Sequence, residues 1–267
     1  MTYVYPVVSR RAMGVSIGIN LNPNNACNWR CIYCQVPELQ RGSAPTIDLV
    51  KLEAELRAFL DEIVQGDFMQ AKVAPELRRI NDIALSGNGE PTSAREFEQV
   101  IELVGNIKSD YDLPGDLKLV LITNGSLIDR PGVQLGLRRM SALNGEVWFK
   151  LDRATREGRA STNNTRMSLK RMRENLRLAA SLCPTWVQTC VFQLDGLPPP
   201  QEESDAYLKL LEDLLKESVP LQGVLLYGLA RQSMQAEAPR LSKVSQQWMD
   251  AFNAKIQGLG LKVKASP

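Results

Sequence analysis

Three cysteines stand close together early in the chain, within the segment CNWRCIYC. Cys27, Cys31 and Cys34 are separated by three and then by two residues, in a polar stretch that shows no helical period. Three thiols on one loop can converge on a single metal centre, and thiolates suit zinc and iron–sulfur clusters. The spacing therefore predicts a metal site on this loop.

The possible kinds of metal site differ in how many further protein ligands they need. A structural zinc site usually takes four protein ligands, but this chain has no histidine and its next cysteine, Cys183, is distant in sequence. The spacing also differs from the bacterial ferredoxin run, which needs a further nearby cysteine. A cubane cluster held through three of its irons, with the fourth open to another ligand, fits best. A structural metal knuckle, or three unrelated thiols, is the alternative.

Polar or glycine-rich residues also follow three later apolar runs. In chain order they are Gly87-Asn88-Gly89-Glu90-Pro91, Thr123-Asn124-Gly125, and the pair Lys150 and Asp152. Taken alone, the first two would be ordinary turns and the pair a simple internal ion pair. Ligands of parallel α/β proteins bind at the carboxyl ends of the strands. The shared position of these residues therefore predicts a single site.

The composition restricts the chemistry available at that site. Without histidine, Ser-His-Asp hydrolysis, His-ligated zinc proteases and His-ligated non-haem iron are excluded. Lys and Arg total 32 against 30 Asp and Glu, so the formal net charge of +2 gives no overall field that would point to a nucleic acid or membrane partner. The chemistry must come from cysteine, carboxylate, lysine, arginine, tyrosine, backbone groups or a cofactor.

Strand-like and helix-like segments alternate along the chain and must position these residues. Strands are predicted at 16–22, 82–86, 117–123, 146–152, 186–192 and 223–229. Helices are predicted from Thr46, from a capping box of Ser93 and Glu96, and at 131–141, 166–182, 204–216 and 241–256. Six such pairs predict an α/β fold with a parallel sheet. The pattern alone leaves an open doubly wound sheet and a partial barrel as alternatives.

No low-complexity linker divides the 267 residues, so a single domain is expected. Within it, residues 1–15 are predicted to be an N-terminal extension, 16–230 the core, and 231–267 a C-terminal helix and tail. The first residues lack the apolar core of a signal peptide, and no apolar run approaches the length of a membrane span. A cytoplasmic protein without a membrane partner is predicted.

The segment CNWRCIYC resembles the signature of the radical S-adenosylmethionine (radical SAM) superfamily, and the order of the other motifs agrees with that superfamily along nearly the whole chain. The opening YVYPVVSRRAMGVSIGIN, followed by CIYC and SGNGEPT, resembles a branch of small iron–sulfur oxidoreductases. That branch is related to wyosine-synthase-like and pyruvate formate-lyase-activase-like proteins. The resemblance implies a partial (β/α)6 TIM-type barrel.

The resemblance also implies a cofactor chemistry. Cys27, Cys31 and Cys34 would hold a [4Fe–4S] cluster whose free iron binds S-adenosyl-L-methionine (SAM). One-electron reduction by a flavodoxin or ferredoxin would cleave SAM to methionine and a 5′-deoxyadenosyl radical, which abstracts hydrogen from a substrate. Whether that substrate is a small molecule, a peptide or RNA stays open. An activase that makes a glycyl radical on a protein partner, and a non-catalytic metal-binding or electron-transfer module, are the alternatives.

Several residues correspond to the SAM contacts of the superfamily. Tyr33 occupies the aromatic position that packs on the adenine. The Gly87–Pro91 segment resembles the Gly-Gly-Glu-Pro motif for the methionine amino group, with Asn88 in place of a glycine beside Gly89 and Glu90. The ribose and carboxylate contacts correspond to Thr123, Asn124, Lys150 and Asp152.

Other residues have both a functional and a simple structural interpretation. Cys190 on the fifth predicted strand could donate a hydrogen atom to a substrate radical, although core packing explains it equally well, and Cys183 is expected to pack in the core. Arg231 could clamp a substrate carboxylate or phosphate, or lie in solvent. Two groups of basic residues could contact the phosphates of RNA, or could simply form solvated surface. They are Arg10 with Arg11, and the stripe Arg166, Lys170, Arg173 and Arg177.

Overall fold

One sheet of eight strands forms the centre of the protein in the computed structural model, which describes residues 1–9 and 14–266. The strands are β1 (Val4–Ser9), β2 (Gly14–Ile19), β3 (Ile80–Leu85), β4 (Lys118–Thr123), β5 (Gly145–Lys150), β6 (Thr185–Cys190), β7 (Leu221–Tyr227) and β8 (Val263–Ser266). Their order in the sheet is their order along the chain.

The six strands from β2 to β7 are parallel to one another. β1 extends the sheet antiparallel to β2, and β8 extends it parallel to β7. β1 and β8 are the two edges, so the sheet does not close on itself within the described residues. These findings confirm the predicted α/β class and the partial (β/α)6 barrel with a parallel sheet.

Eight α-helices surround the sheet among the described residues. They are α1 (Leu49–Val64), α2 (Phe68–Lys72), α3 (Phe97–Asp110), α4 (Pro131–Ala142), α5 (Arg156–Asn163), α6 (Leu169–Leu182), α7 (Gln201–Lys216) and α8 (Gln246–Gln257). Single 3₁₀ turns occur at Pro75–Leu77, Pro91–Ser93 and Ala238–Arg240. Two-residue strands pair Ala26–Cys27 with Gln40–Arg41, and Gln193–Leu194 with Leu241–Ser242.

Apolar periodicity explains why these segments fold as they do. Along β2, Val15, Ile17 and Ile19 alternate and are fully buried. Along α1, a stripe that includes Leu52 and Leu56 is fully buried at helical spacing. Each fully buried large apolar side chain contributes about 1.5–3 kcal/mol relative to exposure. This core fixes the positions of the strands, and thereby of the loops at their carboxyl ends.

The predicted capping box at the start of α3 is wrong. Glu96 is the N-cap residue but its side chain makes no capping hydrogen bond, and the helix begins at Phe97. The Ser93 hydroxyl donates instead to the backbone oxygen of Glu90, at 2.7 Å, and accepts from the Ala44 N–H, at 2.8 Å. A competing use of the serine within the Pro91–Ser93 turn therefore replaces the cap.

Four of the numbered strands and helices were not predicted from the sequence: β1, β8, α5 and the five-residue helix α2. β1 lies in the predicted N-terminal extension and β8 near the C-terminus, and each pairs with only one neighbouring strand. α5 is short and has little apolar surface, so it gives no hydrophobic period. Arg10 and Arg11 lie outside the described residues.

Candidate functional site

A cavity of about 300 Å³ lies at the carboxyl ends of the parallel strands. It brings together most of the residues that the sequence singled out. Its walls include Cys27, Cys31, Tyr33, Cys34, Asn88, Gly89, Glu90, Asn124 and Lys150. Three other predicted residues, Thr123, Asp152 and Cys190, are buried next to it but do not line it.

The cysteine loop directs hydrogen-bond donors at two of its sulfur atoms. The Trp29 backbone N–H donates to Cys27 Sγ at 3.5 Å, and Asn163 Nδ2 donates to Cys31 Sγ at 3.2 Å. The Cys34 N–H donates to the Cys31 carbonyl oxygen at 3.0 Å, which closes a tight turn between these cysteines. Donors to sulfur stabilise a thiolate relative to a thiol, so the loop favours bound metal.

Burial holds two of these thiols in the protonated form when no metal is bound. It raises the pKa of Cys27 to about 12 and the pKa of Cys31 to about 11. Among the described residues, no three cysteine or carboxylate side chains approach the arrangement of a single-ion site. A cubane cluster binds each thiolate at a separate iron and needs a wider spacing than one tetrahedral ion. Three thiols on one cavity fit such a cluster.

The glycine-rich loop after β3 packs directly against the cysteine loop. A Cβ on Gly89 would lie 2.1 Å from the carbonyl oxygen of Ala26, so only glycine allows this approach. Gly87 has a φ of +130°, which favours glycine for backbone reasons. Asn88 stands where the superfamily has glycine, and its Nδ2 donates to Asn25 Oδ1 at 2.7 Å. The loop thus places its backbone beside the cysteines.

Glu90 connects this loop to the end of β4. Its carboxylate is almost fully buried and accepts four hydrogen bonds. Oε1 accepts from the Thr92 N–H and from the hydroxyls of Thr92 and Thr123, and Oε2 accepts from the Asn124 N–H at 2.6 Å. Burial raises the pKa of Glu90, while these donors act in the opposite direction. Glu90 and Thr123 therefore position two cavity loops.

Asp152 is a second buried carboxylate whose partners all belong to the protein. Oδ2 accepts from the Tyr33 hydroxyl and, at 2.7 Å, from Asn163 Nδ2. Oδ1 accepts from the Cys190 N–H at 2.9 Å. Because Asn163 also donates to Cys31, Asp152 positions the cysteine loop and Tyr33 from behind the cavity wall.

Lys150 is a half-buried cation with unused hydrogen-bonding capacity. Its Nζ donates to the Tyr227 hydroxyl at 3.0 Å and lies 5.0 Å from the centre of the Tyr33 ring. No carboxylate within the described part of the chain forms an ion pair with it. Burial alone would lower the pKa of Lys150, but Tyr227, Asp152 and Cys31 raise it well above its ordinary value. The cavity wall therefore offers a charged ammonium group to an anion.

The two remaining cysteines are buried. Cys190 packs with Ile32, Tyr33 and Phe192, and burial raises its pKa. Its proposed role as a hydrogen donor stays a prediction. The Cys183 thiol donates to the Gly145 carbonyl oxygen at 3.4 Å inside the main core.

The basic groups lie outside the cavity. Arg173 and Arg177 both pair with Glu217, and Lys170 approaches Glu174 at 4.0 Å. Arg166 and Arg231 are exposed. The stripe on α6 has the ion pairs of an ordinary solvated helix face.

Sequence reasoning missed several residues that shape the site. Asn163 was hidden in an unpredicted helix, and Asn28 gave no signal although it accepts from Asn124 Nδ2 at 2.8 Å. Tyr227 and Gln188 line the cavity from β7 and β6. A glutamine inside a strand that is buried on both faces was a signal that could have found Gln188.

Comparison with known proteins agrees with this geometry. The family model of the Radical SAM superfamily matches residues 21–211, which include the cysteine loop and the strand ends up to β6. The chain belongs to the radical SAM superfamily. Membership indicates an enzyme that uses SAM in radical chemistry, and it confirms the resemblance found in the sequence. Among the described residues, no helix is long and apolar enough to cross a membrane.

Individual relatives are more distant. UPF0026 protein slr1464 of Synechocystis is 31% identical over 56% of this chain and 48% of its own length. The chain spans less than half the length of the curated relatives it matches. A radical SAM methyltransferase from Sphaerobacter thermophilus has a TM-score of 0.66 at 12% identity, covering 98% of this chain and 68% of that one. TYW1 with a lysine–pyruvate adduct has a TM-score of 0.60 at 11% identity, covering 92% and 74%. These two structures share the fold.

Proposed function

We propose that this enzyme holds a [4Fe–4S] cluster on Cys27, Cys31 and Cys34, cleaves SAM reductively, and abstracts a hydrogen atom from its substrate. One observation carries the proposal: three thiols, a glycine-rich backbone loop and the unpaired ammonium of Lys150 line the same cavity. Thiolates suit iron–sulfur clusters, and a half-buried cation without an acid partner suits an anionic ligand.

The cysteine loop supports the cluster through its hydrogen bonds. The Trp29 N–H and Asn163 Nδ2 point at sulfur atoms and stabilise them as thiolates. Asp152 holds Asn163 in place. Once bound, the cluster would supply the electron that converts SAM to methionine and a 5′-deoxyadenosyl radical.

The loops at the ends of β3, β4 and β5 supply groups that match the parts of SAM. Lys150 would pair with the methionine carboxylate, and the backbone around Asn88 and Gly89 would bind the methionine amino group. Tyr33 would pack on the adenine, and Asn124 contributes a side chain in the same wall. Thr123 and Asp152 would position the residues that contact SAM, because their polar atoms are hydrogen-bonded to Glu90, Tyr33 and Asn163.

The surroundings also suit radical chemistry. A primary carbon radical attacks most C–H bonds, so the protein must position its target and exclude other reactants. Ile122, Val36 and Leu39 provide apolar wall around the polar groups. We propose a flavodoxin or ferredoxin as the electron donor and the reducing cytoplasm as the location.

Anaerobic turnover tests this function. Reconstituted protein with SAM and dithionite should release 5′-deoxyadenosine, whereas the Cys31→Ala variant should release none above background. Cys183→Ala is the matched control, because its thiol lies in the core, and it should retain cleavage. Equal product from wild type and Cys31→Ala, or zinc in place of iron and sulfide, would exclude the function and leave a metal-binding module.

A glycyl-radical activase is the second candidate, favoured by one feature of the surface. A groove of about 600 Å³ is lined by Phe192, Leu194, Leu197 and the prolines at 198–200, and the centre of the Phe192 ring lies 5.6 Å from that of Tyr33 in the cavity wall. Such a groove can accept a protein segment. Incubation with cell extract should then give a protein glycyl radical by electron paramagnetic resonance, and the absence of any protein radical would exclude this candidate.

A further inference from the structure

One polar side chain in the cavity has no role in holding the proposed cofactor. Gln188 lines the cavity from β6, while the groups assigned to the cluster and SAM come from the cysteine loop and the ends of β3, β4 and β5. Its neighbours in the sheet are Lys150 on β5 and Leu225 on β7. Gln188 therefore belongs to the part of the cavity left for a substrate.

The carbonyl oxygen of the Gln188 carboxamide has no hydrogen-bond partner. The residue is only 9% exposed, and its Oε1 is buried without a hydrogen bond. Lys150 donates to Tyr227 and not to this oxygen. A buried polar atom without a partner costs about 1–3 kcal/mol, and nearly all such atoms in native proteins are paired. A bound ligand would remove that cost.

The chemistry of a carboxamide restricts the ligand. It offers one acceptor and an adjacent donor on the same edge, so its best partner presents a donor and an acceptor side by side. A main-chain peptide group cannot do this, because its N–H and C=O point in opposite directions in the trans form. The lactam edge of a planar heterocycle presents both on one side.

The part of the cavity formed by β6 and β7 also suits a flat group. Tyr227 on β7 contributes an aromatic ring to the cavity lining. Aromatic side chains stack on the faces of heterocyclic bases, while amide groups read their edges.

We propose that Gln188 binds the lactam edge of a planar nitrogen heterocycle in the substrate, of the pyrimidine or purine type. This inference rests on the proposed function, which assigns the rest of the cavity to the cluster and SAM. The adenine of SAM has a similar donor and acceptor edge. The test must therefore distinguish the substrate from the cofactor as the group that Gln188 contacts.

Calorimetric titration of the reconstituted holoprotein, saturated with SAM, tests the proposal with two matched probes. 2-Pyridone has the lactam edge, and N-methyl-2-pyridone lacks its N–H donor. 2-Pyridone should bind at least tenfold more tightly than the methylated probe. Gln188→Leu should abolish that difference, and the exposed Gln70→Leu should keep it. Acetamide, which has the edge without the ring, should bind more weakly than 2-pyridone.

Other results would overturn the proposal. These are equal binding of the two pyridones by wild type, retention of the preference in Gln188→Leu, or equal binding of acetamide and 2-pyridone. Competition between 2-pyridone and SAM, with weaker SAM binding in Gln188→Leu, would assign the edge to the adenine instead. Gln188→Met is a second variant in case the leucine does not fold. Binding is measured without turnover, so failure here leaves the 5′-deoxyadenosine assay as a separate test of the proposed function.

Discussion

The two walls of the cavity differ in how their polar groups are used. On the wall formed by the cysteine loop and the ends of β3 to β5, the buried carboxylate of Glu90 has protein donors at both oxygens, as does that of Asp152 behind the wall. On the wall formed by β6 and β7, Gln188 has no partner at Oε1. A satisfied network fixes geometry, and an unsatisfied group can bind a ligand. We therefore propose that the first wall positions the cofactor, with Lys150 as its one free charged group among the described residues, and that the second wall binds the substrate.

Of the changes predicted, removing a cluster ligand should reduce activity most. Cys34→Ala should eliminate cluster binding and SAM cleavage, because three thiolates are the minimum for a cubane with one open iron. Iron and sulfide content and 5′-deoxyadenosine release are the measurements, with Cys183→Ala as the control. Normal iron content in Cys34→Ala would show that the first wall does not hold the cluster.

Separating the glycine loop from the cysteine loop should have the next largest effect. In Gly89→Ala the new Cβ would overlap the Ala26 carbonyl, so one of the loops must move. We expect SAM affinity to fall at least tenfold and the free energy of unfolding to fall by about 1–3 kcal/mol. Gly115→Ala introduces a Cβ with no atom within 4 Å and should change neither. If equilibrium dialysis shows unchanged SAM binding in Gly89→Ala, close packing of the two loops is not needed for SAM binding.

Asp152→Asn distinguishes positioning from direct binding. Both oxygens of Asp152 accept hydrogen bonds, from Tyr33, from Asn163 and from the Cys190 N–H. Asparagine would replace one oxygen with an NH₂ group that cannot accept, and would leave the other without its charge. The free energy of unfolding should fall by about 2 kcal/mol. Asp205→Asn, on the exposed face of α7, should fall within about 0.5 kcal/mol of wild type. A large loss of SAM affinity without loss of stability would instead make Asp152 a cofactor contact.

The smallest effect is expected at the rim, where Arg30 of the cysteine loop pairs with Glu237 at 2.5 and 3.0 Å. Arg30 lowers the pKa of Glu237 below its ordinary value of 4.5. A carboxyl whose pKa is lower in the folded state stabilises the fold above its ordinary pKa, and this stabilisation disappears as the pH falls through the folded value. Glu237→Gln should therefore reduce the free energy of unfolding at pH 7 by less than about 1 kcal/mol.

That difference should shrink in urea titrations at pH 3.5, because wild type then begins to lose the charge that the variant lacks. A difference as large at pH 3.5 as at pH 7 would contradict the ion-pair explanation.

The sequence predicted the sheet well because each central strand is an apolar run between polar turns. The six parallel strands were all found, within a few residues of their predicted limits. β8 was missed because VKAS has little apolar pattern, β1 because the proline within VYPVVS argues against a strand, and α5 because its capped first turn gave the only signal. Local pattern therefore predicts the core better than the edges.

The site was predicted less completely than the sheet. The cysteines, the glycine loop and Lys150 were found because unusual residue types mark them. Which polar groups line the cavity depends on rotamers and on partners distant in sequence, as with Asp152 and Asn163. Sequence spacing does not contain that information, so it could not show that Thr123 and Asp152 lie behind the cavity lining. Their contact with SAM stays a prediction.

The most direct test of the central claim is the electron paramagnetic resonance spectrum of the reduced, reconstituted protein with and without SAM. If Cys27, Cys31 and Cys34 hold a cubane with one open iron, the reduced protein should show one cluster signal per chain, and SAM should change its g-values. A signal that SAM leaves unchanged, or a protein that binds zinc and gives no cluster signal, would contradict the account.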